Sequence, residues 1–280
     1  MHPREWGIVA RERRHGQSPR EGRRLIRRED VGAVAVLTLD NPPLNVLSQA
    51  MYQRLETLVD ELSESGTIRA VVLTGAGERA FSAGADVKEF PGASDPERWR
   101  RQIRYIIGVS EKLAALPQPV VAAVNGVAYG GGLELTLFCD LRLAGARARF
   151  ALSEVKLGLF PGTGGVQRLP GLIGIARAKE LLLRGEPIDA AEAERIGLVN
   201  RILPADRLAA ESLALAQSLA ERPARAVRTI KRLVDGAAGL SAAEQRDREI
   251  DANVEIIQTA DAREGFAAFL EKRPPKFRHR

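Results

Sequence analysis

The sequence predicts an α/β protein whose core alternates short strands with helices and whose last third is helical. Three observations carry this. Residues 120–124 are apolar at every position and 70–74 at every position but Thr74, as strands buried on both faces are. Helical-period segments separate such runs in the first half of the chain. Beyond residue 176 the strand-like runs give way to a succession of helical ones.

The elements follow in order. Residues 31–40, rich in Val, Leu and Thr, read as a strand that stops at Asn41-Pro42-Pro43. Ser48 fits a helix N-cap, Met51, Leu55, Leu58, Val59 and Leu62 recur at helical spacing, and Gly66 ends that helix. The strand at 70–74 is followed by Gly75-Ala76-Gly77. A helix at 97–115 is closed by Pro117 and Pro119, and the strand at 120–124 comes next. Residues 133–139 read as a short helix and 141–144 as a strand. Helices are then expected at 176–184, 190–196, 207–221, 224–235 and 241–270. With no repeat of fixed period and no low-complexity linker, the chain divides into a poorly ordered extension (1–29), a core (30–200) and a helical region (201–280).

Composition excludes several functions. Cys139 is the only cysteine, so no intrachain disulfide forms, and its apolar neighbours mark it as a small core residue. His2, His15 and His279 all lie in the chain ends, which removes a Ser-His-Asp triad or a His-ligated metal from the fold. Proton transfer then falls to carboxylates, Lys or Tyr. The net charge of +6 belongs wholly to residues 1–28, with nine Arg and three Glu; the remainder, with 33 charges of each sign, is neutral. The body therefore carries no mark of a nucleic-acid surface, although an Arg-rich tail is one way of tethering RNA or membrane. No run of about 18 apolar residues predicts a membrane span.

Two glycine-rich segments could carry chemistry. Gly75-Ala76-Gly77-Glu78-Arg79-Ala80 fits a loose dinucleotide pattern, but more small residues follow in place of a long helix, so it reads as a loop. In the second, the strand 120–124 leads through Asn125-Gly126 to Gly130-Gly131-Gly132 and Glu134 at the start of a helix. Three successive glycines bring backbone N–H groups within reach of a ligand oxygen, or else let two backbones pack closely. Ser82-Ala83-Gly84-Ala85-Asp86 could supply another N–H, and two such donors aimed at one point make an oxyanion hole. A second carboxylate, Glu154, sits in an apolar setting ahead of Gly162-Thr163-Gly164-Gly165. It pairs with Lys156 at the surface or shares acid and base work with Glu134.

Taken together, Asp40-Asn41-Pro42 with Asn45, the runs 81–86, 123–134 and 154–168, and Arg263-Glu264-Gly265-Phe266 through Arg273 resemble the enoyl-CoA hydratase/isomerase, or crotonase, family over residues 31–280. The resemblance implies a spiral of ββα turns with a C-terminal helical oligomerisation region, assembled as a trimer or dimer of trimers. It implies an oxyanion hole from the N–H groups of Ala85 and Gly131. Glu134 activates water and Glu154 delivers a proton to C2. Coenzyme A, part of the substrate rather than a cofactor, is met by Ala83, Asp86, Val87 and Lys88, and by Phe269 and Lys272 from a neighbouring subunit. No metal or redox cofactor is implied, and a cytoplasmic enzyme of acyl-CoA metabolism is expected. Tyr129 and Phe160 replace smaller residues common in the family and suggest a short or branched acyl group. The alternatives are enoyl-CoA isomerisation, hydration of a branched methylglutaconyl-type substrate, an RNA-binding homologue using its Arg-rich tail, and a non-catalytic CoA-binding module.

Overall fold

Apolar alternation fixes the larger of two sheets. In a computed structural model, which describes residues 25–90 and 95–279, β1 (Ile26–Val31) and β2 (Val34–Leu39) form an antiparallel hairpin. Parallel strands β3 (Ala70–Gly75), β5 (Val120–Val124), β7 (Leu141–Gly145) and β10 (Arg201–Leu203) extend it in the order β1-β2-β3-β5-β7-β10. Successive side chains point to opposite faces. Ala35, Leu37, Val71, Leu73, Val120 and Ala122 enter the main core, together with the inner face of helix α1 (Gln49–Ser63). Val34, Ala70, Val72, Val121, Ala123 and Leu143 face the other way and are covered by helix α7 (Leu208–Ala220).

The smaller sheet consists of β4 (Ala80–Ser82), β6 (Val127–Tyr129), β8 (Arg149–Ala151) and β9 (Ile188–Asp189), in that order. Each of β3, β5 and β7 thus passes through a tight turn into a partner in the other sheet, so the chain winds as a spiral of strand pairs. Helix α2 (Pro96–Ala114) links the first pair to the second, and α3 (Gly131–Thr136) links the second to the third. The remaining helices are α4 (Gly165–Ile173), α5 (Ile175–Arg184), α6 (Ala190–Arg195), α8 (Ala224–Asp235), α9 (Ala242–Ile257) and α10 (Ala260–Leu270).

Four expectations are corrected. The folded body begins before residue 30, since β1 starts at Ile26; the rest of the basic extension lies outside the described residues. Residues 80–82, expected in a loop, form a strand. Arg27 of that hairpin pairs with Asp40 at 3.0 Å, so part of the tail's basic charge is used by the fold. The helix expected over 241–270 is two, because Thr259 caps a fresh start by accepting the Ala262 N–H at 3.1 Å. Cys139, by contrast, is buried as expected, and burial pushes its thiol up to about 12.

Arg142 on β7 holds the short helix α3 in place. Its buried guanidinium donates to the carbonyls of Thr136 (3.1 Å), Cys139 (2.8 Å) and Leu198 (2.8 Å). Substituting methionine leaves those carbonyls short of a donor. We expect Arg142→Met to cost about 2–4 kcal/mol in denaturant unfolding.

Candidate active site

The Ala83–Asp86 loop is pinned from two sides before it reaches the site. Asn45 donates to the carbonyls of Ala76 (3.1 Å) and Ala80 (2.9 Å). Asn125 accepts from the Gly75 N–H and donates to the Gly75 and Gly77 carbonyls, which closes the turn between β3 and β4. That turn is not followed by a helix, so the dinucleotide pattern at 75–80 has no helix N-terminus to offer. Downstream, Leu47 N–H donates to Gly84 O (2.8 Å) and Asp86 N–H to Leu47 O (3.0 Å). The groups on either side of Ala85 are thereby bonded, and the Ala85 N–H takes no part in this ladder.

The three glycines bring the second amide alongside the first. A Cβ on Gly132 would meet the Ser82 carbonyl at 2.4 Å, so only glycine lets α3 lie directly on β4. Gly131 opens α3, where an N–H has no intrahelical acceptor. Its nitrogen lies 3.4 Å from where a Cβ on Gly84 would sit, and the Ala85 nitrogen lies 3.6 Å from the Cβ position of Gly131. The two N–H groups singled out in the sequence are neighbours, and Leu47 packs beside them.

Glu134 and Glu154 occupy contrasting settings. Glu134 is 3% exposed, in the first turn of α3. Its Oε1 accepts the backbone N–H groups of Thr163 (2.8 Å) and Gly165 (2.9 Å), and its Oε2 accepts the Thr163 hydroxyl. Thr163 was not singled out in the sequence, although the Gly-Thr-Gly-Gly run around it signals a backbone turned toward a ligand or a side chain. Glu154 begins a 3-10 turn, Glu154–Leu157. Its Oε2 is buried with no hydrogen-bond partner. Burial pushes its pKa up to about 7; its own backbone N–H pulls it down, and the charge of Glu134 raises it further. Lys156 pairs with Glu186 at 2.8 Å.

Gly130 separates the carboxylates from the amides. It holds φ 50°, and a Cβ there would stand 2.7 Å from Glu154 Oε1. Gly130→Ala should cost about 1–3 kcal/mol in backbone strain and displace the Glu154 carboxylate. A thermal melt and an activity assay on the same preparation would then fall together.

The remaining candidates are dispersed. Ala83 N–H donates to Leu44 O, and Asp86 accepts the Lys88 N–H through its side chain. Much of the main chain at 83–88 is therefore engaged within the fold, while the Val87 and Lys88 side chains are exposed. Phe269 is 82% exposed on α10, and Lys272 follows that helix at φ 53°. Phe269 borders a groove with Pro223, Ile256, Phe266 and Phe277, which contains neither glutamate. Tyr129 is half-buried, whereas Phe160 is 71% exposed. No cluster of His, Cys, Asp and Glu suited to a metal occurs among the described residues.

The family model for enoyl-CoA hydratase/isomerase matches residues 29–280. The chain belongs to the enoyl-CoA hydratase/isomerase family. A Mycobacterium bovis protein named probable enoyl-CoA hydratase echA8 is 41% identical over 88% of this chain and 95% of its own length. The short-chain-enoyl-CoA hydratase of Clostridium acetobutylicum is 37% identical over 88% of this chain and 94% of its own. The crystal structure of an enoyl-CoA hydratase from Bacillus anthracis superimposes with a TM-score of 0.88 at 38% identity, covering 92% of this chain and all of that one. The crotonase fold expected from the motifs is thus the fold of this family member. No helix among its described residues is long and apolar enough to cross a membrane.

Proposed function

We propose that this family member is an enoyl-CoA hydratase, adding water across the 2,3 double bond of a trans-2-enoyl-CoA to give a 3-hydroxyacyl-CoA. The observation that carries the proposal is the pair of carboxylates in unlike settings, Glu134 and Glu154, beside the two neighbouring amides of Ala85 and Gly131. In this reading the thioester oxygen rests on the two N–H groups, which stabilise the enolate that forms when C3 is attacked. Glu134 takes a proton from the attacking water as the C3–O bond forms, and Glu154, held protonated by its burial, gives a proton to C2. Exchange with solvent then restores both carboxyl groups. No metal or redox cofactor enters these steps.

Coenzyme A would lie along Ala83, Asp86, Val87 and Lys88, with the Lys88 ammonium toward its phosphates. Phe269 and Lys272 would reach the CoA of a neighbouring subunit in a trimer or dimer of trimers. The exposed apolar side chains of Ile250, Val254, Ile257, Phe266, Phe269 and Leu270 on α9 and α10 support such self-association. A cytoplasmic location, where acyl-CoA thioesters are at hand, completes the proposal.

The test is loss of the ultraviolet absorbance of the conjugated thioester when crotonyl-CoA is mixed with the full-length protein, followed by product analysis. A 3-hydroxy product supports the hydratase. Migration of the double bond without hydration would assign the site to isomerisation, and binding without turnover would leave a CoA-binding module.

A further inference from the structure

α4 is held by two residues of one chain segment, of which Glu134 is only the first. Phe138 follows it by four positions, just past the end of α3, so both side chains lie on the same side. Glu134 accepts the N–H groups of Thr163 and Gly165. Phe138 meets the residue between them: a Cβ on Gly164 would stand 2.6 Å from its Cε2 and 2.8 Å from its Cζ. Gly164, at φ 130°, is the N-cap of α4. One turn later Arg168, whose N–H donates to Gly164 O at 2.9 Å, covers the same ring, its guanidinium carbon 4.0 Å from the centroid. α4 thus closes on Phe138 with Gly164 and Arg168 while it presents two amides to Glu134. For packing alone the arginine is a poor choice. It is half-buried, and its Nε is buried without a hydrogen-bond partner among the described residues. An unpaired buried N–H is destabilising, and an aliphatic side chain would cover the ring without one. What the guanidinium adds is attraction to one face of the ring, which fixes where α4 sits on it.

We propose that Arg168 is a positioning residue for hydration. Stacked on Phe138, it holds the first turn of α4 at the distance from α3 at which Thr163 and Gly165 bond Glu134 Oε1. Those bonds fix the rotation of the carboxylate, and with it the lone pair that takes the proton of the attacking water. Without the stack α4 slides on Phe138, and Glu134 follows its donors away from the water. Arg168 exchanges no proton in this arrangement and acts only through Glu134. The inference rests on the hydratase reading of the Glu134–Glu154 site.

The experiment measures crotonyl-CoA hydration by the full-length wild type, Arg168→Met, Arg168→Lys, Glu134→Ala, and Arg168→Met combined with Glu134→Ala. Methionine keeps the reach of the side chain without its charge; lysine keeps a cation over the ring. We expect Arg168→Met to lower kcat about tenfold, with KM unchanged and the melting temperature equal or higher, and Arg168→Lys to recover most of the loss. In the Glu134→Ala background the methionine substitution should change the residual kcat by less than about twofold, since no carboxylate is left to position. An unchanged kcat in Arg168→Met overturns the inference, as does a lysine variant no better than methionine. An equal fall in both backgrounds, or a fall in kcat tracked by the melting temperature, assigns Arg168 to packing and overturns it as well. Should Arg168→Met not fold, Arg168→Gln is read in the same way. A wild type inactive on every enoyl-CoA defeats the hydratase reading and this inference with it, whereas an active wild type matched by Arg168→Met defeats the inference alone.

Discussion

Replacing Glu134 with glutamine lowers kcat for crotonyl-CoA hydration by about 10²–10⁴-fold and leaves the fold in place. The fold survives because glutamine keeps the carbonyl oxygen that accepts the Thr163 and Gly165 N–H groups. The new amide nitrogen meets the Thr163 hydroxyl, which rotates from donor to acceptor. What disappears is the proposed base. An amide oxygen still orients a water but does not take its proton at neutral pH. KM should therefore change little, since substrate would be held by the Ala85 and Gly131 amides and the loop at 83–88. A steady-state series with wild type and variant, paired with a thermal melt, checks this. A variant that loses KM but keeps kcat would move Glu134 from chemistry to binding.

Thr163 is part of this prediction although the sequence alone does not reveal it. It lies 29 positions from Glu134, and only the winding of the chain through β7 and β8 brings the two together. The two small-residue loops were legible as places where backbone comes close to something, but a run such as 130–132 serves backbone packing equally well, and the amides of Ala85 and Gly131 were implied by the family resemblance. Glu134 and Glu154 were legible as carboxylates beside such runs. Their unlike settings were not, because burial of Glu154 Oε2 depends on residues distant in the chain. The same limit applies to the fold. Strands 70–75 and 120–124 announce themselves by being almost wholly apolar, whereas β4, β6 and β8 are three residues each. A three-residue strand buries too little to impose a period on the sequence. The spiral is therefore a structural repeat without a sequence repeat.

Removing the charge of Glu154 has the second large effect, and pH separates its two consequences. Its carboxyl titrates near 7 in the folded protein against an ordinary 4.5, because one oxygen is buried without a donor. Between those values the folded protein holds a proton that the unfolded chain has already released. Stability therefore falls as pH rises through this window, and above about 7 the whole penalty persists. Glu154→Gln lacks the penalty. Its melting temperature should match that of wild type near pH 4, exceed it increasingly up to about pH 7, and stay above it by a constant margin beyond. Activity moves the opposite way: the variant should lose about 10²–10⁴-fold in kcat, since no proton reaches C2. In wild type, kcat/KM should decline above about pH 7 as the acid ionises. The residual activity of Glu134→Gln should show this limb at lower pH, because the charge of Glu134 is one of the causes that raise Glu154. A limb that stays in place would mean that the two carboxylates do not sense each other, and the division of acid and base between them would fall.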